Sequence, residues 1–124
     1  MTYEELPESK EIIRLLVKAN ELRLEGKYSA SVALYLEVIE RSGETADIDA
    51  AIASCYFSMG VHNPLETGES YDQAVTWIEK AIALDPENAD LHARLAQLCQ
   101  LGTLDYARSA QEYSRAIELN PCDP

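Results

Sequence analysis

The sequence predicts an all-α protein built from three antiparallel helix pairs, and three observations carry that reading. Apolar residues recur with a helical period in six separate segments. Nothing alternates with period two over a useful length, which leaves no room for strands. And one phrase is stated twice: Ala81-Ile82-Ala83-Leu84-Asp85-Pro86 returns, 35 residues later, as Ala116-Ile117-Glu118-Leu119-Asn120-Pro121. A helical segment closed each time by a proline marks a repeated unit rather than a chance similarity.

Residues 1–8 read as a lead-in, and Ser9 as the cap of the first helix, its hydroxyl accepting from a free amide of the first turn. Ile12, Ile13, Leu15, Leu16, Ala19, Leu22 and Leu24 then form a wide helical stripe, broken at Gly26-Lys27. A second helix from Tyr28 carries Val32, Leu34, Tyr35, Leu36, Val38 and Ile39 and stops at Ser42-Gly43. Thr45 caps a third, which runs through Ile48, Ala50, Ile52, Ala53, Tyr56, Phe57 and Met59 to Gly60. Residues 61–69 hold Asn63, Pro64, Thr67 and Gly68, and read as a loop. The fourth, fifth and sixth helices are expected over residues 71–84, 88–101 and 104–119.

The spacing of small residues and tyrosines fixes the period. Ala19 and Ala53 are 34 apart, and Ala53 and Ala96 are 43 apart. Tyr28 to Tyr71 is again 43, while Tyr71 to Tyr106 is 35, as is Pro86 to Pro121. Units of about 34 residues account for all of these, with nine extra residues after Gly60 and one after Gly102.

Bulk properties bound the function. The 124 residues suit one domain able to bury a core, and an apolar content of 47% argues against disorder. With 22 acidic against 10 basic residues the net charge is −12. Nucleic acid, which needs clustered Lys and Arg, and anionic membranes are both disfavoured as partners. The surplus is concentrated in residues 47–86, which carry −6; this is either a set of solvated faces or a field that steers a basic partner. No run approaches membrane-spanning length, and the acidic start, without a basic flank leading into an apolar run, predicts no signal peptide. Cys55, Cys99 and Cys122 are odd in number and lack CxxC spacing, so no disulfide scaffold or zinc site is expected, and a cytoplasmic setting fits best.

Over residues 9–121 the sequence resembles the tetratricopeptide-repeat family, with repeats at about 12–45, 46–88 (interrupted near 61–69) and 89–121 and a tail at 122–124. The resemblance lies in the small residues Ala19, Ala53 and Ala96, each followed one turn later by Leu22, Tyr56 or Cys99. It continues in the second helices with Ser31, Tyr35 and Val38; Ala74, Ile78 and Ala81; and Ser109, Tyr113 and Ala116. Small against large lets paired helices interlock at native density. The family's tryptophan is replaced by Leu15, Asp49 and His92, Lys18 takes a usually apolar place, and Gly43 stands where a proline would close the first repeat. The resemblance implies a right-handed superhelix of stacked pairs. It also implies a protein-interaction scaffold or adaptor that binds a partner's peptide segment or helix in its concave groove.

Carried over residue by residue, the groove-facing places are Leu16, Asn20, Arg23 and Leu24 of the first helix. The third gives Asp47, Ala50, Ala51, Ser54, Phe57 and Ser58, and the fifth Asp90, Ala93, Arg94, Gln97, Gln100 and Leu101. Of these, Leu16, Asn20, Arg23, Ala50, Ser54, Phe57, Asp90, Arg94, Gln97 and Gln100 are the candidate binding residues. Some family members clamp the C-terminal carboxylates of heat-shock chaperones with five polar groups. Here Asn20 and Arg94 match two, Leu16 and Asp90 replace lysines, and Ala51 replaces an asparagine, so that clamp is not expected. Residues 61–69 are either a tolerated surface loop or a lip over the groove with Leu65 as its contact. The family usually ends with an extra amphipathic helix. Here three residues follow Pro121, so either the chain is part of a longer protein or the exposed last repeat meets another molecule, including a second copy. The alternative function is a regulatory or oligomerisation part of a larger enzyme or signalling chain.

No chemistry of its own is expected. His62 and His92 are the only histidines, a break at Gly60 is expected between Cys55 and His62, and there is no HExxH, ExxH pair, EF-hand or phosphate-binding glycine loop. Neither a cofactor nor a metal is expected.

Overall fold

A computed structural model describes residues 7–62 and 67–121. Six helices follow one another: α1 (Pro7–Leu24), α2 (Tyr28–Ser42), α3 (Ala46–His62), α4 (Thr67–Leu84), α5 (Ala89–Leu101) and α6 (Tyr106–Leu119), with no strand among the described residues. The most extensive packing joins α1 to α2, α3 to α4 and α5 to α6. Thinner contacts of α2 with α3 and α4 with α5 stack the three pairs. Short turns force α1 and α2, and likewise α5 and α6, to run antiparallel.

Each turn has a local cause. Gly26 (φ +83°) and Gly43 (φ +95°) take left-handed conformations after α1 and α2, where a Cβ would be strained. Thr45 Oγ1 accepts from Ile48 N at 3.3 Å and so caps α3. Asn88 Oδ1 accepts from Asp90 N and Leu91 N at the start of α5, and Asp105 Oδ1 from Arg108 N at the start of α6.

Several boundaries differ from those the sequence predicts. The first helix begins at Pro7, whose ring suits a first turn, and Ser9 lies inside it, 7% exposed, rather than capping it. The sixth begins at Tyr106, because Leu104 has φ +60° and cannot be helical. The third helix continues through Gly60 to His62 and the fourth starts at Thr67. Most of the residues expected as a loop therefore lengthen two helices; Leu65, the expected lip contact, lies outside the described residues, as does Cys122. Gly60 is needed for closeness, not for a turn. A Cβ there would stand 2.7 Å from Cε1 of Tyr71, and one at Gly102 would stand 2.9 Å from Cγ of the same ring.

The helices of each pair meet at small residues. Ser31 Oγ donates to the Ala19 carbonyl at 2.7 Å, and Ser109 Oγ donates to the Ala96 carbonyl at 2.9 Å. The same contact thus recurs in the first and third pairs. In the middle pair Ala74 and Ala53 occupy those places within one core cluster, without a hydroxyl. Ala19, Ala74, Ala81 and Ala96 have no exposed surface at all.

Helix α3 is the shared wall. Ile48, Ile52 and Cys55 join Ala19, Val32, Tyr35 and Val38 in one cluster. Ala50 and Ala53 join Ala74, Ile78, Ala81, Leu91, Leu95, Leu98 and Cys99 in another. Tyr56 and Trp77, partly buried, touch both. A helix buried on two sides is apolar nearly all round, as Ala46–His62 is.

Two substitutions test this packing. Ala53→Leu should overpack α3 against α4 and cost roughly 1–3 kcal/mol in chemical denaturation; an unchanged midpoint would refute the pairing register. Gly60→Ala should lower the melting temperature although alanine favours helix by about 1 kcal/mol, because the Tyr71 ring must move. A rise in melting temperature would show that the ring is not held there.

Candidate functional site

Helices α3 and α5 border a hollow of about 350 Å³, lined by Ala50, Ala53, Ser54, Phe57 and Ser58 from α3 and Arg94, Gln97 and Leu98 from α5, with Ile78 of α4 also lining it. The hollow exists because α3 offers alanines and serines where larger side chains would fill the gap. Phe57 is fixed at one side, its ring 5.6 Å from that of Tyr71 and tilted by 37°. A second hollow of about 220 Å³ adjoins it, sharing Ala50, Ser54 and Arg94 and adding Arg23, Asp47, Ala51, Asn88, Asp90 and Leu91.

Of the candidate residues, Arg23, Ala50, Ser54, Phe57, Asp90, Arg94 and Gln97 line these hollows. Leu16 packs against the core cluster of the first two pairs, and Asn20 lies beside Arg23, accepting from its Nη2. Gln100 Oε1 accepts from the Tyr113 hydroxyl of α6 at 3.2 Å. None of these three lines either hollow. The sequence reading omitted Ala53, Ile78, Leu98, Asn88 and Leu91. Ile78 reads in the sequence as the large core residue of its helix, and both it and Leu98 are core residues that also border the hollow.

The electrostatics of the hollows are set by local pairs. Arg94 Nε donates to Asp90 Oδ2 at 2.8 Å, one turn back on α5. Asp47 and Arg23 complete a rim of two cations and two anions. The Nε of Arg23 is buried and has no hydrogen-bond acceptor.

Two polar residues hold the places where the resembled family carries tryptophan. His92 is 7% exposed; its Nε2 donates to the Pro86 carbonyl at 2.8 Å, and its Nδ1 lies 2.9 Å from Glu112 Oε2. Since the carbonyl can only accept, Nε2 is the donor of that bond, and Nδ1 faces the Glu112 carboxyl across α5 and α6. Asp49 has no exposed surface, and neither of its oxygens has a partner. Burial first, and the neighbouring Glu44 carboxyl second, push it up to about 7 from 3.8, while Lys80 acts in the opposite sense.

Neither thiol of the described residues is set up for chemistry. Burial raises both Cys55 and Cys99 above the ordinary thiol range, and Cys55 Sγ donates weakly to Ser31 Oγ at 3.7 Å. His62 lies in the same unbroken helix as Cys55 and stacks on Tyr28, with ring centres 6.2 Å apart. Among the described residues, no three His, Cys, Asp or Glu side chains converge to hold a metal ion, and no helix is long and apolar enough to cross a membrane.

Paired helices, stacked in register and interlocked at small residues, define a helical-repeat superhelix. Comparison gives this class its name: a family model described as tetratricopeptide repeat matches residues 65–88, and the chain has the tetratricopeptide fold through all three pairs. Among solved structures it is similar to the first tetratricopeptide domain of Spaghetti (RPAP3) bound to the HSP90 peptide SRMEEVD. The identity is 19% and the TM-score 0.75, over 93% of this chain and 83% of that one. No curated protein matches the sequence.

The state of Asp49 has a consequence for stability. Its folded carboxyl holds a proton more tightly than the unfolded chain does, so this contribution is complete below about pH 4 and is lost as pH rises through about 7. Asp49→Asn should flatten denaturation midpoints measured between these values and be more stable than the natural chain at pH 8. Parallel pH profiles for the two proteins would show that Asp49 is not the titrating group.

Proposed function

We propose that this protein is an interaction module that holds a polypeptide segment of a partner in the hollows between α1, α3 and α5. The observation that carries this reading is the pairing of an apolar floor (Ala50, Ala53, Ile78, Leu98) with a polar rim (Ser54, Arg94, Gln97) on one face of the stack. Such a surface grips a side chain and leaves donors and acceptors for a backbone. The fold's likeness to a domain that binds a peptide supports the same reading. Nucleic acid and membrane are not its partners in this proposal, nor does it act as an enzyme. Its setting would be cytoplasmic, and the repeats would run as 12–45, 46–88 and 89–121.

A second reading, self-association within a larger assembly, is favoured by one observation. Tyr106 (63% exposed), Tyr113 (38%) and Ile117 (62%) lie at seven- and four-residue spacing on one face of α6, unburied.

Affinity capture with the natural chain and with Ser54→Phe, which fills the hollow, separates the two readings once the variant is shown to melt normally. A partner held by the natural chain and lost by the variant supports the groove; capture unaffected by Ser54→Phe refutes it. Sedimentation equilibrium of the natural chain and of Ile117→Glu checks the second reading. It expects a dimer or larger species that the substitution dissociates, and a monomer throughout would remove it.

A further inference from the structure

Among the described residues, Asp49 is the only buried carboxyl. An ionised group there needs donors or a cation to offset its lost hydration, and no N–H or hydroxyl reaches either of its oxygens. The group beside it is a second carboxyl, that of Glu44 in the turn before α3. Two carboxyls can hydrogen-bond only when one of them holds a proton, so this pair is arranged around a shared proton. Burial and the Glu44 carboxyl retain it up to about pH 7. Most charged groups on the surrounding elements are occupied elsewhere. Arg41 and Glu37 of α2 pair with each other at 3.8 Å, as do Arg94 and Asp90 of α5 at 2.8 Å. Glu79 of α4 takes Arg108, and Asp47 of α3 borders the smaller hollow with Arg23. The cation that acts on Asp49 is Lys80 of α4. Its side chain is exposed, and its Nζ rests 4.2 Å from the centre of the Trp77 ring. An aromatic face holds a cation only weakly at an exposed site, whereas a desolvated carboxylate would draw it strongly.

We propose that Asp49, Glu44 and Lys80 form a proton-operated switch at the seam of the first two helix pairs. With the proton in place Asp49 donates to Glu44 and Lys80 rests on Trp77; with it gone, Lys80 leaves the ring and pairs with the Asp49 carboxylate. Trp77 packs against the cores on both sides of α3, so the exchange is felt where the first and second pairs stack.

Trp77 is the only tryptophan of the chain, so its fluorescence reports the exchange directly. Titration of the whole chain across neutrality should show a step in tryptophan emission with its midpoint near pH 7, without loss of helical circular dichroism. Asp49→Asn should remove the step, because the proton it reports is gone. Lys80→Met should remove it as well, since no cation is left to quit the ring. In that variant the loss of stability with rising pH should also move to higher pH, because nothing then favours the ionised carboxyl. A natural chain without the step, or a step that survives either substitution, would overturn the switch. So would a stability profile that Lys80→Met leaves in place. Lys80 is exposed, so its variant decides the matter even if Asp49→Asn does not fold.

Discussion

The whole molecule depends on how closely two helices can approach at a small residue. Where Ser31 donates to the Ala19 carbonyl and Ser109 to the Ala96 carbonyl, one helix hydrogen-bonds to the backbone of the other, which only a short side chain permits. Close approach at a small residue, with or without the hydroxyl, brings the large residues of the following turn into the core: Tyr35 and Val38 in the first pair, and Ile78 in the second, are almost wholly buried. The third pair is looser at the equivalent place, since Tyr113 remains 38% exposed. Interlocking therefore sets the pair, and stacking of neighbours completes the burial.

The same constraint produces the hollow. Helix α3 must pack against the first pair on one side and against α4 and α5 on the other, so it carries alanine and serine where a one-sided helix could carry leucine. Ala53 permits the approach of α4 and also floors the hollow. Packing and the hollow thus draw on one set of side chains, and a substitution that fills the hollow from Ala53 also strains the pair. Ser54, at the rim, separates the two effects.

This explains what the sequence could and could not reveal. The repeat spacing is arithmetic on Ala19, Ala53 and Ala96, and it yields the pairing without any knowledge of contacts. Helix ends are another matter. Gly60 looks like a stop, and in isolation a glycine is one; only the position of the Tyr71 ring, eleven residues on in the chain, shows that it answers a steric demand within a continuous helix. Leu104 is the converse, an ordinary apolar residue forced to positive φ in a turn, where nothing in its chemistry announces it. The hollow divides in the same way. Arg23, Ser54, Phe57 and Arg94 are expected there from the family resemblance, which places the first helix of each pair along the groove, whereas Ile78 reaches the hollow from α4 and Leu98 lies in the core cluster beside it.

Buried polar groups show why a replaced tryptophan is not one kind of change. His92 finds a partner at each ring nitrogen, Pro86 and Glu112, and so ties α5 to α6 and to the turn before it. Asp49, in the equivalent place of the second pair, finds none and is held near neutrality by burial. The difference bears on charge at large. Much of the −12 lies between residues 47 and 86, yet Asp49 is withdrawn from that sum when protonated, and Asp47 and Asp90 are offset at the rim by Arg23 and Arg94. The long-range field is therefore acidic while the site itself is neutral.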